Sequence, residues 1–481
     1  MGAPTAQNGL ARRPRWGDRL EVQVERLDHK GRGLGHVAGD RVLTRAAVPG
    51  SRAVVEVVRR RGKRIEARLV EVLDAGPWTR PARCEHFGTC GGCAFQTYDY
   101  AAQLGELRRQ VAEQLREAGA LGDIEVEPVL GATNPWNYRN KMDFTFANRR
   151  WVEPSEPQGV DTSFALGLHV PGRFDKVLDL AGCAIHFEGA DALLATAREL
   201  AREMRLEPWD TRAHVGLLRH LVLRKGMRTG EIMVNLVTSR AAPGEIEPYA
   251  EAFLARHPEI TTFVQNVNTR AASVAVGEWE HVLHGPGVIH EELGGLRFTI
   301  SAGTFFQTNT LQAERLVQIV REEARAAQAQ RGEATVIFDL YCGSGTLGMA
   351  VAAGVQELWG FESVPQAVRD ARHNALQNQL LNTHFVEGDV LAILEDSQRK
   401  LPRPDLCLVD PPRAGLHPRV LPALVRLAPR RIVYVSCNVK AAARDLPYLA
   451  IGGYALRRVR PIDLFPHTPH VECVFTLERE E

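Results

Sequence analysis

Apolar and polar residues change their rhythm three times along this 481-residue chain. From Trp16 to Val72, short alternating runs dominate: Leu20-Glu21-Val22-Gln23-Val24, Arg41-Val42-Leu43, Ala53 to Val58 and Glu66 to Val72. Turn clusters at His29 to Gly35, Pro49-Gly50 and Arg61-Gly62-Lys63 separate them. A period of two broken by evenly spaced glycine turns predicts a small β-barrel of the OB type. From Asp99 to Ala120 the period lengthens, with Leu104, Leu107, Val111 and Leu115 on one face, which predicts a helix. Strand-like runs such as Lys141 to Phe146, Leu217 to Arg224 and Glu231 to Val237 then alternate with helices, which predicts an α+β region. The third rhythm begins at Ala334. An apolar strand Ala334 to Leu340, a glycine turn Tyr341-Cys342-Gly343-Ser344-Gly345-Thr346 and a helical Leu347 to Ala352 open a Rossmann-like α/β domain. Further strands follow at Glu357 to Phe361, Thr383 to Val386, Asp405 to Val409 and Arg431 to Val435. The reading is a multidomain chain divided at 15–74, 75–300 and 301–481.

Composition narrows the class. Hydrophobic residues at 44% and charged residues at 24% are ordinary for a globular protein. No apolar run is long enough to span a membrane, and no apolar stretch follows the arginines near the N-terminus, so neither membrane insertion nor secretion is expected. Eight cysteines are too few for a disulfide scaffold, which points to a reducing, cytoplasmic home. Nothing in the chain demands more than a monomer or an obligate protein partner. The net charge of +1 hides an asymmetry, because residues 1–72 carry 16 Lys/Arg against 8 Asp/Glu. A basic module on a mildly acidic body suggests a grip on a polyanion. Its run Arg59-Arg60-Arg61 with Lys63 and Arg64 is the densest part, and a solvated hairpin is the bland alternative. Pattern and charge together resemble the TRAM domain of RNA-modifying enzymes.

Four cysteines form a pattern: Cys84-x5-Cys90-x2-Cys93, and Cys183 far downstream. Gathered thiolates bind zinc or an iron–sulfur cluster. One extended knuckle plus a distant cysteine leans toward [4Fe–4S], with zinc or a redox pair as the alternatives; spacing alone leaves the fourth ligand open. Tyr138-Arg139-Asn140-Lys141, a dense polar group before a strand, reads equally as a phosphate contact or a surface turn.

The C-terminal third carries the chemistry. Glu362 ends the second strand, about 20 residues past the glycine turn, where an acid takes ribose hydroxyls. Asp389 follows the third strand and can reach an adenine, and Asp410 ends the fourth. Two glycines rather than three disfavour a dinucleotide, and acids at successive strand ends resemble the S-adenosylmethionine site of Rossmann-like methyltransferases. Asp410-Pro411-Pro412-Arg413 is a rigid loop above the sheet. The next strand delivers Ser436-Cys437-Asn438, placing a cysteine in the ligand crevice as a nucleophile. Carbon 5 of uracil is too weak to attack a methyl sulfonium unaided, and thiolate addition at carbon 6 makes it nucleophilic. A base must then remove the carbon-5 proton, and Glu472, in Pro466-His467-Thr468-Pro469-His470-Val471-Glu472, is the best placed. Cys342, Cys407 and Cys473 read as core residues.

Taken with Phe306-Gln307-Thr308-Asn309, these motifs resemble the RNA (uracil-5-)-methyltransferase family over nearly the whole chain, and within it the cluster-containing branch acting on 23S rRNA. The resemblance implies Cys437 as nucleophile and Glu472 as base, and an S-adenosyl-L-methionine site lined by Gln307, Tyr341, Thr346, Glu362, Asp389 and Asp410. It further implies Phe305 as a ring stacking on the extruded uracil, and Cys84, Cys90, Cys93 and Cys183 as ligands of a [4Fe–4S] cluster. Thr346 differs in residue type from some members, and the N-terminal 14 residues and the segment 149–160 match loosely. The rivals are a tRNA (uracil-5-)-methyltransferase, a non-catalytic RNA-binding protein, and a radical methylase, whose Cx3Cx2C triplet is absent.

Overall fold

The computed structural model describes residues 12–120, 122–153, 156–272, 274–331, 335–396 and 398–480. Four sheets organise them. The first has six strands in the order Arg19–Gln23, Arg52–Arg61, Arg64–Asp74, Asp40–Thr44, Gly33–Val37 and Arg26–Leu27. It curls until Gly33–Val37 lies against Arg19–Gln23, so closely that a Cβ at Gly35 would meet the Gln23 carbonyl oxygen at 2.2 Å. Leu20, Val22, Val42, Val55, Val57 and Ile65 fill the inside of this barrel-like sheet, as the alternation requires.

The middle sheet has eight strands, with Leu218–Lys225 between Ile232–Thr238 and Lys141–Ala147. Helices Ala190–Glu203 and Pro243–Arg256 bury Leu193, Ala197, Tyr249 and Phe253 against one face, where Phe144, Leu221 and Leu223 point. The other face is mixed, with Asp143, Thr145, His220 and Asn235 beside Val222, Met233 and Val237. A hairpin, Val288–Leu293 with Leu296–Ser301, leads to the helix Thr310–Arg331.

The C-terminal sheet runs Thr383–Glu387, Glu357–Glu362, Val336–Leu340, Leu406–Val409, Arg431–Ser436, Glu472–Arg479, Tyr454–Ile462. The first five strands are parallel and the last two antiparallel. A parallel sheet is apolar on both faces, and its central strands accordingly are buried at every position without alternation. Its first strand begins at Val336; the expected start at Ala334 lies outside the described residues.

Helix Tyr100–Glu117 starts where Asp99 accepts the N–H groups of Ala101 and Ala102, a side-chain N-cap. Its buried Leu107, Val111 and Leu115 pack into the C-terminal core beside Leu446 and Leu449 of the helix Val439–Ile451. Tyr100 extends the tie by donating to Asp463 Oδ2 at 2.8 Å. An early segment of the chain is thus built into its last sheet. Among the described residues, no helix is long and apolar enough to cross a membrane.

Candidate active site

The crevice lies at the carboxyl ends of the parallel strands, where a doubly wound sheet takes ligands. Gly343 and Gly345 both have positive φ, 56° and 80°, so the turn from Val336–Leu340 into the helix Thr346–Ala352 uses conformations that favour glycine. Nothing lies within 4 Å of a Cβ built at Gly343, which leaves its backbone open to the crevice. Glu362 is fixed beside it: one carboxylate oxygen accepts the Gly343 N–H at 3.0 Å, the other the Val364 N–H at 2.8 Å. Asp389 caps the helix Val390–Glu395 through Ala392 N–H at 3.1 Å, so its structural duty coexists with a crevice position. Tyr341 stands near enough to Asp389 for that carboxylate to add to the burial that pushes its phenol up to about 12. Thr346 opens the helix, its hydroxyl 3.3 Å from that of Ser344.

Phe305 stands in solvent, 73% exposed, while Phe306 turns into the core. Gln307 follows, half-buried, and its carbonyl accepts the side-chain amide of Asn140 at 2.9 Å. Asn140 also donates to Thr310 Oγ1 at 3.0 Å and is itself buried. Tyr138 is buried as well, donating to the Pro466 carbonyl at 3.1 Å. The surface-turn reading of Tyr138-Arg139-Asn140-Lys141 is therefore corrected. This segment pins the middle region to the Gln307 loop and to the chain ahead of Glu472, an arrangement that only long-range pairing reveals.

Cys437 and Glu472 come together through the sheet. Ser436 pairs with Cys473 on antiparallel neighbours, so the residue after one strand end faces the residue that begins the other. Glu472 is buried, its Oε1 without a hydrogen-bond partner, and its pKa lies well above the ordinary carboxylate value through burial first and the charge of Asp410 second. Burial lifts Asp410 itself to about 7. The Cys437 thiol is pushed up by burial, then by Glu472 and Asp410, while Arg413 draws it down. Asn438 ties its loop to the Asp410-Pro411-Pro412-Arg413 loop, donating to the Arg413 carbonyl at 2.8 Å. Asp339 joins this acidic group from the central strand: buried, it accepts the Gly348 N–H at 2.9 Å and is raised to about 8 by burial and by Asp410. Its signal in the sequence was a carboxylate inside an otherwise apolar strand. Cys342, Cys407 and Cys473 are buried in the core.

A cavity of about 730 Å³ runs from Cys437 past Lys440 and Arg444 to Arg32, Arg41 and Arg64 of the first sheet and Arg109 of the helix Tyr100–Glu117. Basic side chains from three parts of the chain thus converge beside the thiol, with Asp28 paired to Arg32 and Glu113 to Arg109 among them.

Comparison with known proteins agrees with this layout. The family model described as tRNA (Uracil-5-)-methyltransferase matches residues 292–480. An RNA methyltransferase of Chlorobaculum tepidum is 38% identical, with 100% of each chain covered. One of Porphyromonas gingivalis is 39% identical over 95% of this chain and 99% of its own. The chain belongs to the RNA (uracil-5-)-methyltransferase family. Membership makes it an S-adenosylmethionine-dependent enzyme acting on RNA. Among solved structures, the tRNA (uracil-54, C5)-methyltransferase of Pyrococcus abyssi, in complex with S-adenosyl-L-homocysteine, is 29% identical, with a TM-score of 0.74 over 95% of this chain and 100% of that one.

In this RNA (uracil-5-)-methyltransferase the four patterned cysteines share one neighbourhood. Burial pushes Cys93 up to about 12 and Cys183 to about 11, and the neighbouring thiols add to both shifts. Gly92 N–H points at Cys90 Sγ, 3.4 Å away, and the His186 N–H donates to the Cys183 carbonyl at 3.0 Å. Among the described residues, no group of three or more His, Cys, Asp or Glu is drawn in to metal-holding spacing. A cavity of about 280 Å³ joins Cys90 and Cys93 to His29 of the first sheet's loop and to His470.

Proposed function

We propose that this enzyme methylates carbon 5 of a uridine in 23S rRNA through a covalent Cys437 adduct. The observation that carries the reading is the facing of Cys437 and Glu472 across adjacent antiparallel strands, beside a glycine turn and strand-end acids suited to S-adenosylmethionine. Gln307, Tyr341, Thr346, Glu362, Asp389 and Asp410 are the proposed contacts to that donor, and Phe305 the ring that stacks on the uracil.

The target base must leave the RNA stack, at about a few kcal/mol. Phosphate contacts from the basic groove offset that cost, and they weaken with salt. Cys437, as thiolate, bonds to carbon 6, and the electrons of the 5,6 double bond move onto the carbonyl as an enolate. Carbon 5 then takes the methyl group, and the sulfur of the donor keeps the electron pair of the broken bond. Glu472 as carboxylate removes the carbon-5 proton. The double bond re-forms and the thiolate leaves carbon 6. A carboxylate whose pKa is raised by burial is a stronger base for this proton than one in water.

Cys84, Cys90, Cys93 and Cys183 are the proposed donor set for a [4Fe–4S] cluster, on the chemistry of four thiols in one neighbourhood with the Gly92 N–H on one of them. When bound, the cluster would brace the loop, since methyl transfer has no redox step. The divisions 15–74, a TRAM-like OB barrel, 75–300, a central domain, and 301–481, the catalytic domain, remain part of this reading, as do a cytoplasmic location and a monomer. Transfer RNA is the second reading, favoured by the tRNA enzyme of Pyrococcus abyssi.

The test is incubation with 5-fluorouridine-substituted 23S rRNA or tRNA and S-adenosylmethionine. Fluorine at carbon 5 does not leave as a proton, so a complex stable to denaturation is expected with 23S rRNA. A complex with tRNA alone reverses the substrate; none with either overturns the role of Cys437.

A further inference from the structure

A third cavity, of about 590 Å³, opens on the face of the middle sheet opposite its helices, away from the donor crevice. Asp143, Thr145, His169, Phe174, Thr211 and His220 line it. Register puts it on a continuous face. His220 lies opposite Thr145, Val222 opposite Asp143 and Arg224 opposite Lys141, so alternate residues of both strands share one side. At the far end of that row the buried guanidinium of Arg224 donates to the carbonyls of Ser301 at 3.1 Å and Thr304 at 2.9 Å. The next residue is Phe305. The four steps along the strand from His220 to Arg224 span about 13 Å, so the cavity and the uracil-stacking position lie within reach of one short RNA segment.

The lining has the chemistry of base recognition rather than of phosphate binding. No Lys or Arg lines the cavity among the described residues. Phe174 is 74% exposed, and it and Phe305 are the two strongly exposed phenylalanines among the described residues. Its turn is not a loose end. The Val170 N–H donates to Lys176 O at 3.2 Å, the Arg173 N–H to Val170 O at 2.9 Å, and Asp175 pairs with Arg212 beside Thr211. An exposed aromatic ring on a pinned turn is a stacking platform. Below it, His220 is buried and bonded to Thr145 at 3.4 Å. Burial, with the charge of Arg219 next, takes His220 down to about 4, so it is a neutral hydrogen-bonding ring at neutral pH. Asp143, partly exposed and paired with Lys141 Nζ at 3.0 Å, supplies acceptors only.

We propose that this cavity receives a second unstacked RNA base, close in sequence to the methylated uridine, stacked on Phe174 and read by Asp143, Thr145 and His220. The acceptors of Asp143 select a base that offers N–H donors on its Watson–Crick edge. This site rests on the RNA-methyltransferase reading and extends it to substrate choice.

The experiment uses the full chain with unmodified 23S rRNA and tRNA transcripts, and compares wild type with Phe174→Ala and Phe174→Trp. On the RNA that the wild type methylates, Phe174→Ala is expected to raise KM at least about fivefold with kcat held, as loss of one stacked base implies. Phe174→Trp is expected to restore KM, and ultraviolet cross-linking should join RNA to the 170–176 peptide of the wild type. An unchanged KM in Phe174→Ala, or a rise accompanied by lowered thermal stability that tryptophan does not rescue, overturns the proposal. Wild type inactive on both transcripts overturns the functional reading itself, and that result is seen before any variant is made.

Discussion

The carbonyl oxygen of His467 accepts the N–H of Ala94 at 2.8 Å, and that of Phe95 at 3.0 Å. The chain that leaves Cys93 is therefore backbone-bonded to the chain that approaches Glu472. Gln103 locks the junction, donating to His467 Nδ1 at 3.2 Å, Phe95 O at 3.0 Å and Tyr98 O at 2.6 Å. Trp136 packs on the His467 ring at 4.0 Å.

Gln103→Leu removes the donor from His467 Nδ1 and from the Tyr98 carbonyl, while Phe95 O keeps the Tyr98 N–H at 2.8 Å, and it should destabilise the fold by about 2 kcal/mol. Because the loosened segment carries Glu472, kcat is expected to fall about tenfold or more, with a smaller effect on donor affinity. Thermal melts beside steady-state kinetics check it, and an unchanged kcat in a destabilised protein would show the junction to be structural only.

Cys437→Ala should reduce methyl incorporation to background while S-adenosylmethionine still binds. Glu472→Gln should instead accumulate a covalent protein–RNA complex with ordinary uridine RNA, because adduct formation survives and elimination stalls. Denaturing gels with labelled RNA separate the two, and turnover without adduct in Glu472→Gln would fall against the base assignment.

The thiol of Cys437 is raised by burial and by its two acidic neighbours, so its thiolate fraction grows with pH. Alkylation of Cys437 by iodoacetamide should therefore show a midpoint above that of a free thiol. Asp410→Asn removes one of the raising charges and should move the midpoint to lower pH. Peptide mass mapping across pH 7 to 10 measures it; a midpoint that stays put removes Asp410 from the electrostatics.

Asp339 titrates near 8 in the folded chain and near 4 when unfolded. Between those values the folded state holds the extra proton, so stability is fully present below about pH 4 and falls as pH rises, by at most about 1.4 kcal/mol per unit for one group. Asp339→Asn keeps an acceptor for Gly348 and removes the titration. Its melting temperature should fall less between pH 5 and 8 than that of the wild type, and equal slopes would refute this.

Much of this was legible because the signals are local. The strand, glycine turn and helix around Tyr341 to Ala352 name their own architecture, and Asp99 marks the start of the helix Tyr100–Glu117. Glu362, Asp389, Asp410 and Cys437 are legible as candidates because each stands at the end of a recognisable apolar strand. What stayed hidden depends on partners far away in sequence. Asn140 reads as a turn residue until Gln307 and Thr310 stand beside it. Nothing near Ala94 announces His467, and Asp339 gains meaning only when the neighbouring strand brings Asp410 alongside. The antiparallel placement of Glu472–Arg479 is likewise a pairing fact, and it alone sets Glu472 opposite Cys437.

The docking of helix Tyr100–Glu117 into the last sheet has a consequence for synthesis. Tyr100 meets Asp463 across 363 residues, so the helix leaves the ribosome long before its partner exists. Until then Leu107, Val111 and Leu115 lack the C-terminal part of their core, Leu446 and Leu449 included, and so form the kind of surface that chaperones hold and aggregates exploit. Closure of so long a loop is slow to reward its entropy. The nascent chain is at its most vulnerable while the final strand is still being made.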